Sequence, residues 1–325
     1  MTDATQVASQ NRLEHFHVTF FASVMGLAGL ALALNAAQEP LGLPQWLPLA
    51  ALVLAAADFA FVAVMYVLKA LRHPAAVRGE WHHPVKLAFF PAISISLLLI
   101  ATALRPVSME AARLVWLLGA AGQGVLTLAV ISGWIGHRTF QQMHISPAWF
   151  IPAVGNVVAP VAGVSLGYVE LSWMFFSAGL LFWVVLLTLV MNRLIFHDPL
   201  PGRLLPTLVI LIAPPAVAFL AWLQLNGGQI DAMARILFYV GVVFAAIVAI
   251  QAPGFAKLPF ALSWWALSFP AAALTIATIR YAQIGALPGL IWLGAVLLVL
   301  LVAIVAMLIL RTFNAAMRGD ICKPE

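Results

Sequence analysis

Residues 288–310 read PGLIWLGAVLLVLLVAIVAMLIL, an apolar run without a charged side chain. A helix of about 20 such residues crosses the hydrocarbon core of a bilayer. Comparable runs recur along the chain, which is 64% hydrophobic and only 8% charged. Soluble domains carry about 25% charged residues, so this composition excludes a water-soluble globule. The sequence therefore predicts an integral membrane protein made of α-helices.

Ten segments of this kind predict an all-α membrane protein with ten transmembrane helices, numbered here as spans 1 to 10. The loops are short, so the spans run alternately up and down, and residues 1–325 are predicted to form a single transmembrane domain with short tails at about 1–14 and 312–325. The predicted spans are His15–Ala37, Leu47–Ala70, Lys86–Ala103, Ala112–Ile135, Ala148–Tyr168, Leu171–Asn192, Leu205–Gln224, Ile230–Gln251, Ala261–Tyr281 and Pro288–Leu310.

The basic residues predict the orientation. The tails and the loops after even-numbered spans hold twelve Lys and Arg, and the loops on the opposite side hold four. The positive-inside rule then puts both termini in the cytoplasm of a multi-pass protein of the inner (plasma) membrane. The pI is near 9.8, but the charges are scattered through short loops, so no nucleic-acid partner is expected.

Proline is sorted by the parity of the spans. An interior proline leaves a backbone carbonyl unpaired and kinks a helix, and such a carbonyl must face protein or water rather than lipid. The odd-numbered spans should thus form a bent inner layer and the even-numbered spans a straight outer one. The interior prolines are Pro91 in span 3, Pro152 and Pro160 in span 5, Pro206, Pro214 and Pro215 in span 7, and Pro270 in span 9, whereas span 1 has Gly26 and Gly29 instead.

The odd-numbered spans also begin at intervals of about 60 residues, which is typical of a repeat array. This spacing predicts five helical hairpins, whose inner members can close into a ring around an axis. The alternative is that proline is simply common in membrane helices; its sorting by parity favours the ring.

Signatures of an enzyme are missing from the sequence. All eight histidines fall at predicted helix ends or in loops, and there is no HExxH, GxSxG or P-loop motif. Facing histidine pairs that hold haem inside a bundle are absent as well. We therefore expect no catalytic residue, no metal site and no cofactor.

Asp58 is the one clear ionisable residue at mid-membrane depth. Such a group is a functional candidate by default, here as a proton-coupling carboxylate. The other interpretation is a structural acid that is hydrogen-bonded between helices. The position of Asp58 in an outer span favours the structural interpretation.

The inner spans offer aromatic, hydroxyl and proline residues to a pore without a fixed acid. Freed N–H groups and hydroxyl dipoles in such a pore are partly positive, and basic residues at its mouth concentrate anions, so electrostatics favour an anion path. An aromatic ring on the axis would close it as a hydrophobic plug. The candidate pore-lining residues are Phe16, Phe20, Phe90, Ser94, Pro152, Pro214 and Pro270.

Several of these segments resemble one known family. Ser263-Trp-Trp-Ala-Leu-Ser-Phe269-Pro270 is similar to helix 9 of the tellurite-resistance/dicarboxylate transporter family, which includes bacterial TehA and the plant guard-cell slow-type anion channels. Further similar segments follow in the same order: His83-Pro-Val-Lys86, Ser146-Pro-Ala-Trp149-Phe-Ile-Pro152-Ala-Val-Gly-Asn156, Ala213-Pro214 and Ile230-Asp-Ala-Met-Ala-Arg235-Ile-Leu.

The resemblance implies five hairpins around a quasi-five-fold pore, a homotrimer with one pore in each protomer, and Phe269 as the residue that occludes the pore. The leading hypothesis is a passive channel for small anions such as chloride and nitrate. The alternative keeps the fold and makes the protein a proton-coupled or uniport exporter of C4-dicarboxylate (malate), sulfite or tellurite, with Asp58 as the coupling acid. A membrane enzyme or cytochrome is the third and least favoured class.

Overall fold

The computed structural model describes residues 12–136, 140–255 and 257–323, and these residues fold almost entirely into helices without β-strands. Nine helices of the described part are long and apolar enough to cross a membrane, and a tenth, shorter apolar helix lies between them. The observed spans are Val18–Leu41, Trp46–Arg72, Lys86–Leu104, Met109–Gly136, Pro147–Gly163, Val169–Phe196, Gly202–Leu225, Ala232–Phe255, Leu262–Ile284 and Pro288–Met317.

All ten predicted spans correspond to observed helices, but three of the boundaries change an argument. Span 1 continues past the predicted end at Ala37 and includes Pro40 in its last turn, so it is not free of proline. Span 8 continues past the predicted end at Gln251 and includes Pro253 in its last turn, whereas spans 2 and 10 have proline only near their starts. A proline in the last turn removes only one hydrogen bond near the helix end, which is tolerated. Span 10 continues to Met317, well into the stretch predicted as a tail.

A short helix, Pro74–His82, joins spans 2 and 3 where the sequence predicts only a loop. Proline at its first position is typical of a helix start. The helix is too short and too polar to cross a bilayer, so a search for apolar runs misses it. Val77 and Trp81 pack against the core from this helix.

Burial follows the parity expected from the prolines. In spans 1, 3, 7 and 9, 67% to 83% of the most apolar window is buried within the protein, whereas in the five even-numbered spans the share is 28% to 33%. Span 5, the short one, is buried at almost every position. The odd-numbered spans are therefore the inner layer, and the even-numbered spans present apolar side chains outward, which suits contact with lipid.

Each inner span begins with a 3₁₀ segment and continues as an α-helix. The 3₁₀ segments are Val18–Phe20, Lys86–Phe89, Pro147–Trp149, Gly202–Ile212 and Leu262–Leu267. The change of helix type lies close to proline in four of the five spans, at Pro91, Pro152, Pro214 and Pro270. All five even-numbered spans are continuous α-helices. The predicted bend of the inner layer thus takes the form of a change in helix type at a common depth.

The contacts between inner spans form a closed sequence. Span 1 packs against span 3, span 3 against span 5, span 5 against span 7, span 7 against span 9, and span 9 against span 1. Each even-numbered span packs against the odd-numbered span that precedes it in the chain and also against the next inner span along this sequence.

Two glycines allow spans 1 and 9 to approach closely. A Cβ atom on Gly26 would lie 2.2 Å from Ser268 Oγ and 2.7 Å from Ser268 Cβ. A Cβ atom on Gly29 would lie 2.9 Å from Ala272 Cβ and 3.6 Å from Phe269 Cδ2. Glycine is therefore the residue that fits where span 1 crosses the first α-helical turn of span 9.

We predict that Gly26→Ala lowers the apparent melting temperature of the detergent-solubilised protein. The added methyl group must push the buried Ser268 and its helix away, and overpacking of this kind costs about 1 to 3 kcal/mol. Gly289→Ala is the matched control, because a Cβ atom there meets nothing within 4 Å. Equal melting temperatures for both variants would contradict the close approach of spans 1 and 9.

Candidate pore with two cavities

A cavity of ≈ 840 Å³ lies between the C-terminal halves of the inner spans. All five inner spans or the loops directly after them line it, and no even-numbered span does. Most of the lining is aliphatic, with a few polar residues near the end that the loops form. Its lining consists of Gly29, Leu32, Asn35, Ala36, Glu39, Pro40, Leu99, Thr102, Arg105, Val158, Val161, Val217, Leu220, Leu223, Gln224, Gly228, Phe269, Ala272, Ala273, Ile276, Arg280, Gln283 and Ile284.

A second, much smaller cavity of ≈ 40 Å³ lies at the level where the inner spans change from 3₁₀ to α-helix. It is again lined by all five inner spans and by no outer one. Its lining is almost wholly apolar: Ala22, Met25, Phe89, Ala92, Ile151, Val154, Ile210, Ala213, Trp265, Ala266, Phe269 and Pro270.

Phe269 is the residue that lines both cavities. Its side chain is 7% exposed and lies in the first turn of the α-helical part of span 9, next to Gly29 of span 1. The Phe269 side chain is thus a wall that the large and the small cavity share.

The large cavity carries three charged side chains, Glu39, Arg105 and Arg280. Arg105 Nη1 donates a 2.5 Å hydrogen bond to Ser165 Oγ, and Arg105 Nε lies 3.4 Å from the carbonyl oxygen of Thr102. Arg280 Nη1 donates to Gln283 Oε1 at 3.2 Å. Burial, together with the positive charge of Arg280, lowers the pKa of Arg105, which directly follows span 3. Both guanidinium groups add positive charge to the same cavity.

Three of the predicted pore-lining phenylalanines pack against other aromatic rings. Phe16 and Phe20 stack on each other, with ring centroids 4.3 Å apart, at the start of span 1. Phe90 lies edge-on to Trp81 and Tyr66, with centroids 4.9 and 6.4 Å away, on the side of span 2 and the short helix. None of the three lines either cavity, and Phe89 faces the small cavity in place of Phe90.

The remaining candidates divide in the same way. Pro270 lines the small cavity, whereas Ser94, Pro152 and Pro214 line neither cavity. Ala213 stands next to Pro214 and does line the small cavity. The sequence did not show which side of a kinked inner helix faces a cavity, and the pore-lining role of these residues stays a prediction.

Ser94 and Pro152 instead belong to a buried polar network around Gln123 of span 4, which the sequence argument missed. Ser94 Oγ donates to Gln123 Oε1 at 2.7 Å, and Gln123 Nε2 donates to the Pro152 carbonyl oxygen at 2.9 Å and to Thr127 Oγ1 at 3.0 Å. Asn156 Nδ2 donates to the same carbonyl oxygen at 2.8 Å. The sequence signal that could have identified this network is a glutamine within an apolar span. An unpaired amide in lipid is costly, so such a glutamine is expected to have a partner inside the protein.

Asp58 lies at the contact between spans 1 and 2. Ser23 of span 1 donates a hydrogen bond to Asp58 Oδ2 at 2.6 Å. The carboxyl group is thus hydrogen-bonded to an inner span, but it lines neither cavity.

A buried charged cluster joins span 1, span 2 and the short helix. Lys69 Nζ donates to Glu80 Oε1 at 2.9 Å and to the carbonyl oxygen of Phe16 at 2.8 Å, and Tyr66 donates its hydroxyl proton to Glu80 Oε2 at 2.8 Å. His17 Nδ1 lies 3.5 Å from Glu80 Oε1. Sequence reasoning counted Lys69 among the loop charges that set the orientation, but its side chain is only 1% exposed, so it also ties the start of span 1 to its neighbours.

We predict that Lys69→Met destabilises the folded protein by about 3 kcal/mol, because it leaves the Glu80 carboxylate buried without its cation. The readout is the apparent melting temperature in detergent. Lys257→Met is the control, since Lys257 is exposed. Adding Glu80→Gln to Lys69→Met should recover part of the loss, and a double variant less stable than Lys69→Met alone would contradict the charge-pair explanation.

Comparison with known proteins agrees with this architecture. Residues 15–313 match the SLAC1 family of voltage-dependent anion channels. Because the match covers most of the chain, the protein belongs to this family, which is one of anion channels and transporters rather than enzymes.

Three relatives show how wide the family is. The chain is 29% identical over 280 residues to the S-type anion channel SLAH3 of Arabidopsis thaliana, an alignment that covers 84% of this chain and 44% of the plant protein. It is 28% identical over 276 residues to a tellurite resistance protein TehA homolog of Haemophilus influenzae, covering 82% and 83%. It is 24% identical over 339 residues to an uncharacterised transporter of Methanocaldococcus jannaschii, covering 97% and 99%.

The chain spans less than half the length of the plant channels SLAH3 and SLAH2 that it matches. It is, however, aligned with almost the whole of the archaeal transporter. The shared part is therefore the helical membrane domain, and this protein is a multi-pass membrane protein of an anion-transporting family.

Proposed function

We propose that this protein is a passive channel for small monovalent anions, chloride and nitrate among them, and that Phe269 gates its pore. The observation that carries the proposal is that Phe269 lines both cavities, and that all five inner spans contribute to each of them. The membership of the SLAC1 family supports anions as the transported species.

In this proposal the ten spans are five helical hairpins around a quasi-five-fold central pore. The closed sequence of contacts from span 1 through spans 3, 5, 7 and 9 supports it, as does the burial of the inner spans. The path runs from the large cavity past Phe269 into the small cavity and then between the 3₁₀ segments. The excess of Lys and Arg in the tails and in the loops after even-numbered spans supports placing the 3₁₀ ends on the cytoplasmic side of a plasma membrane.

The walls of the proposed pore favour neither metal cations nor protonated amines. Apart from Glu39 near the loop end, no carboxylate lines the two cavities, and two arginines line the large one. A path with a net positive lining and no carboxylate near its constriction raises the local concentration of anions and repels cations.

We further propose that the protein assembles as a homotrimer in which each protomer has its own pore. The outward-facing apolar side chains of the even-numbered spans are available for contacts between protomers.

We predict that Phe269→Ala raises anion conductance severalfold in planar bilayers or oocytes, because removing the ring joins the two cavities and lets water into the constriction. Phe90→Ala is the matched control: Phe90 also precedes a proline and is also 7% exposed, but it packs against Trp81 and Tyr66. Unchanged current in Phe269→Ala with protein at the surface would refute the gate, and so would an equal increase in Phe90→Ala.

The alternative function is proton-coupled export of a dicarboxylate, sulfite or tellurite. The hydrogen bond from Ser23 to Asp58 favours it, because the bond joins the mid-membrane acid to an inner span. The relative from Haemophilus influenzae is named for tellurite resistance. Under the channel proposal, Asp58 is a structural acid and its charge state does not drive transport.

We therefore predict that Asp58→Asn leaves anion flux into proteoliposomes unchanged and independent of an imposed pH gradient. Ser23→Ala is the companion variant, because it removes the hydrogen bond and keeps the acid. The opposite result is anion flux that follows the pH gradient in the unmodified protein and in Ser23→Ala, but not in Asp58→Asn. That result would contradict the channel and support the coupled transporter.

A further inference from the structure

The charged end of the large cavity has a feature that gating at Phe269 does not explain. Arg105 follows span 3, Arg280 lies in the last part of span 9, and both line the same cavity. Two guanidinium groups that face one cavity raise its positive potential, which favours an anion in the space between them.

Within the part of the chain that the structure describes, neither arginine forms an ion pair. No carboxylate oxygen lies within 4 Å of either guanidinium group, although Glu39 lines the same cavity. Their hydrogen-bond partners are neutral: Ser165 Oγ and the Thr102 carbonyl oxygen for Arg105, and Gln283 Oε1 for Arg280. Among the described residues, neither guanidinium group is therefore paired directly with a carboxylate, and Glu39 is the one acidic residue that lines their cavity.

These neutral contacts also hold the two groups in place. Ser165, in the loop directly after span 5, accepts from Nη1 of Arg105, so this loop holds the arginine in place. Each guanidinium group has five N–H donors, and the described contacts use only some of them. The donors that these contacts leave unused are available to a ligand in the cavity that both side chains line.

We propose that Arg105 and Arg280 form a binding site for monovalent planar oxyanions, such as nitrate or a monocarboxylate, at the loop end of the large cavity. This inference rests on the proposed function and deepens it, since it names the anion class that the path takes up at this end. Two guanidinium groups and the Glu39 carboxylate carry a net charge of one, which a single monovalent anion neutralises.

The chemistry of the donors favours an oxyanion over a halide. A guanidinium group presents a rigid planar fork that matches two oxygens of a planar anion. A spherical chloride ion gains the same electrostatic attraction but not the paired hydrogen bonds. A cavity of ≈ 840 Å³ is large enough for either, so geometry of the donors, rather than size, sets the preference.

The proposed site is well separated from the gate. Arg280 lies eleven residues after Phe269 on the same span, which corresponds to about 16 Å along a helix axis. Substitutions at the arginines should therefore change anion binding without opening or closing the constriction, and the two roles can be tested apart.

The electrical test uses Phe269→Ala channels, in which the gate is open. Arg105→Gln and Arg280→Gln should each raise the half-saturating nitrate concentration about three- to fivefold and change the chloride value less. Arg105→Lys should keep the attraction for chloride and lose the preference for nitrate. Arg113→Gln is the control, because Arg113 is exposed and lines neither cavity; Glu39→Gln should lower the nitrate value, because it removes the opposing charge.

A binding measurement separates failure of this site from failure of the channel. Nitrate should raise the apparent melting temperature of the purified, gate-intact protein more than chloride does at equal ionic strength, and the difference should vanish in Arg105→Gln and Arg280→Gln. Equal stabilisation by the two anions, or a nitrate effect that survives in both glutamine variants, would overturn the site. A lack of current for every anion would instead overturn the channel, and the melting experiment would still decide the site.

Discussion

Every backbone N–H and C=O group inside a bilayer must find a partner within the protein, because lipid offers none. This constraint separates the ten spans. Continuous α-helices satisfy it alone, so spans 2, 4, 6, 8 and 10 can face lipid. Helices that change from 3₁₀ to α satisfy their backbone hydrogen bonds less completely, and the five spans of this kind are buried within the protein. The irregular backbone of the inner layer therefore depends on the outer layer around it.

Side chains from the outer layer complete this arrangement at particular points. Gln123 of span 4 donates to the Pro152 carbonyl oxygen in span 5, and Lys69 of span 2 donates to the Phe16 carbonyl oxygen at the start of span 1. Polar residues in apolar helices are costly unless they are paired. Here each is paired to backbone next to a 3₁₀ segment, so the outer spans stabilise the irregular parts of the inner ones.

The proposed pathway divides its tasks along the axis. The constriction is apolar, and the charges that attract an anion lie at the loop end of the large cavity. An apolar constriction is closed to ions until the side chain of Phe269 moves. Because it is apolar, it also does not bind an anion so tightly that the anion cannot leave. Gly26 and Gly29 bring span 1 close to Ser268 and Phe269, so the position of the ring is tied to the packing of spans 1 and 9.

The sequence by itself determined the number of spans, their parity and the fold class, because hydropathy and interior proline act locally along the chain. It also singled out Phe269, through a resemblance to a known family. Only the tertiary structure decided which side of each inner helix faces a cavity: Phe89 and Ala213 face one, while their neighbours Phe90 and Pro214 do not. A 3₁₀ segment turns about 120° per residue and an α-helix about 100°, so the facing side changes where the helix type changes. Lys69 binds Glu80, and Arg105 and Arg280 line one cavity, although the members of each pair come from separate helices. No local pattern in the sequence shows that these residues come together.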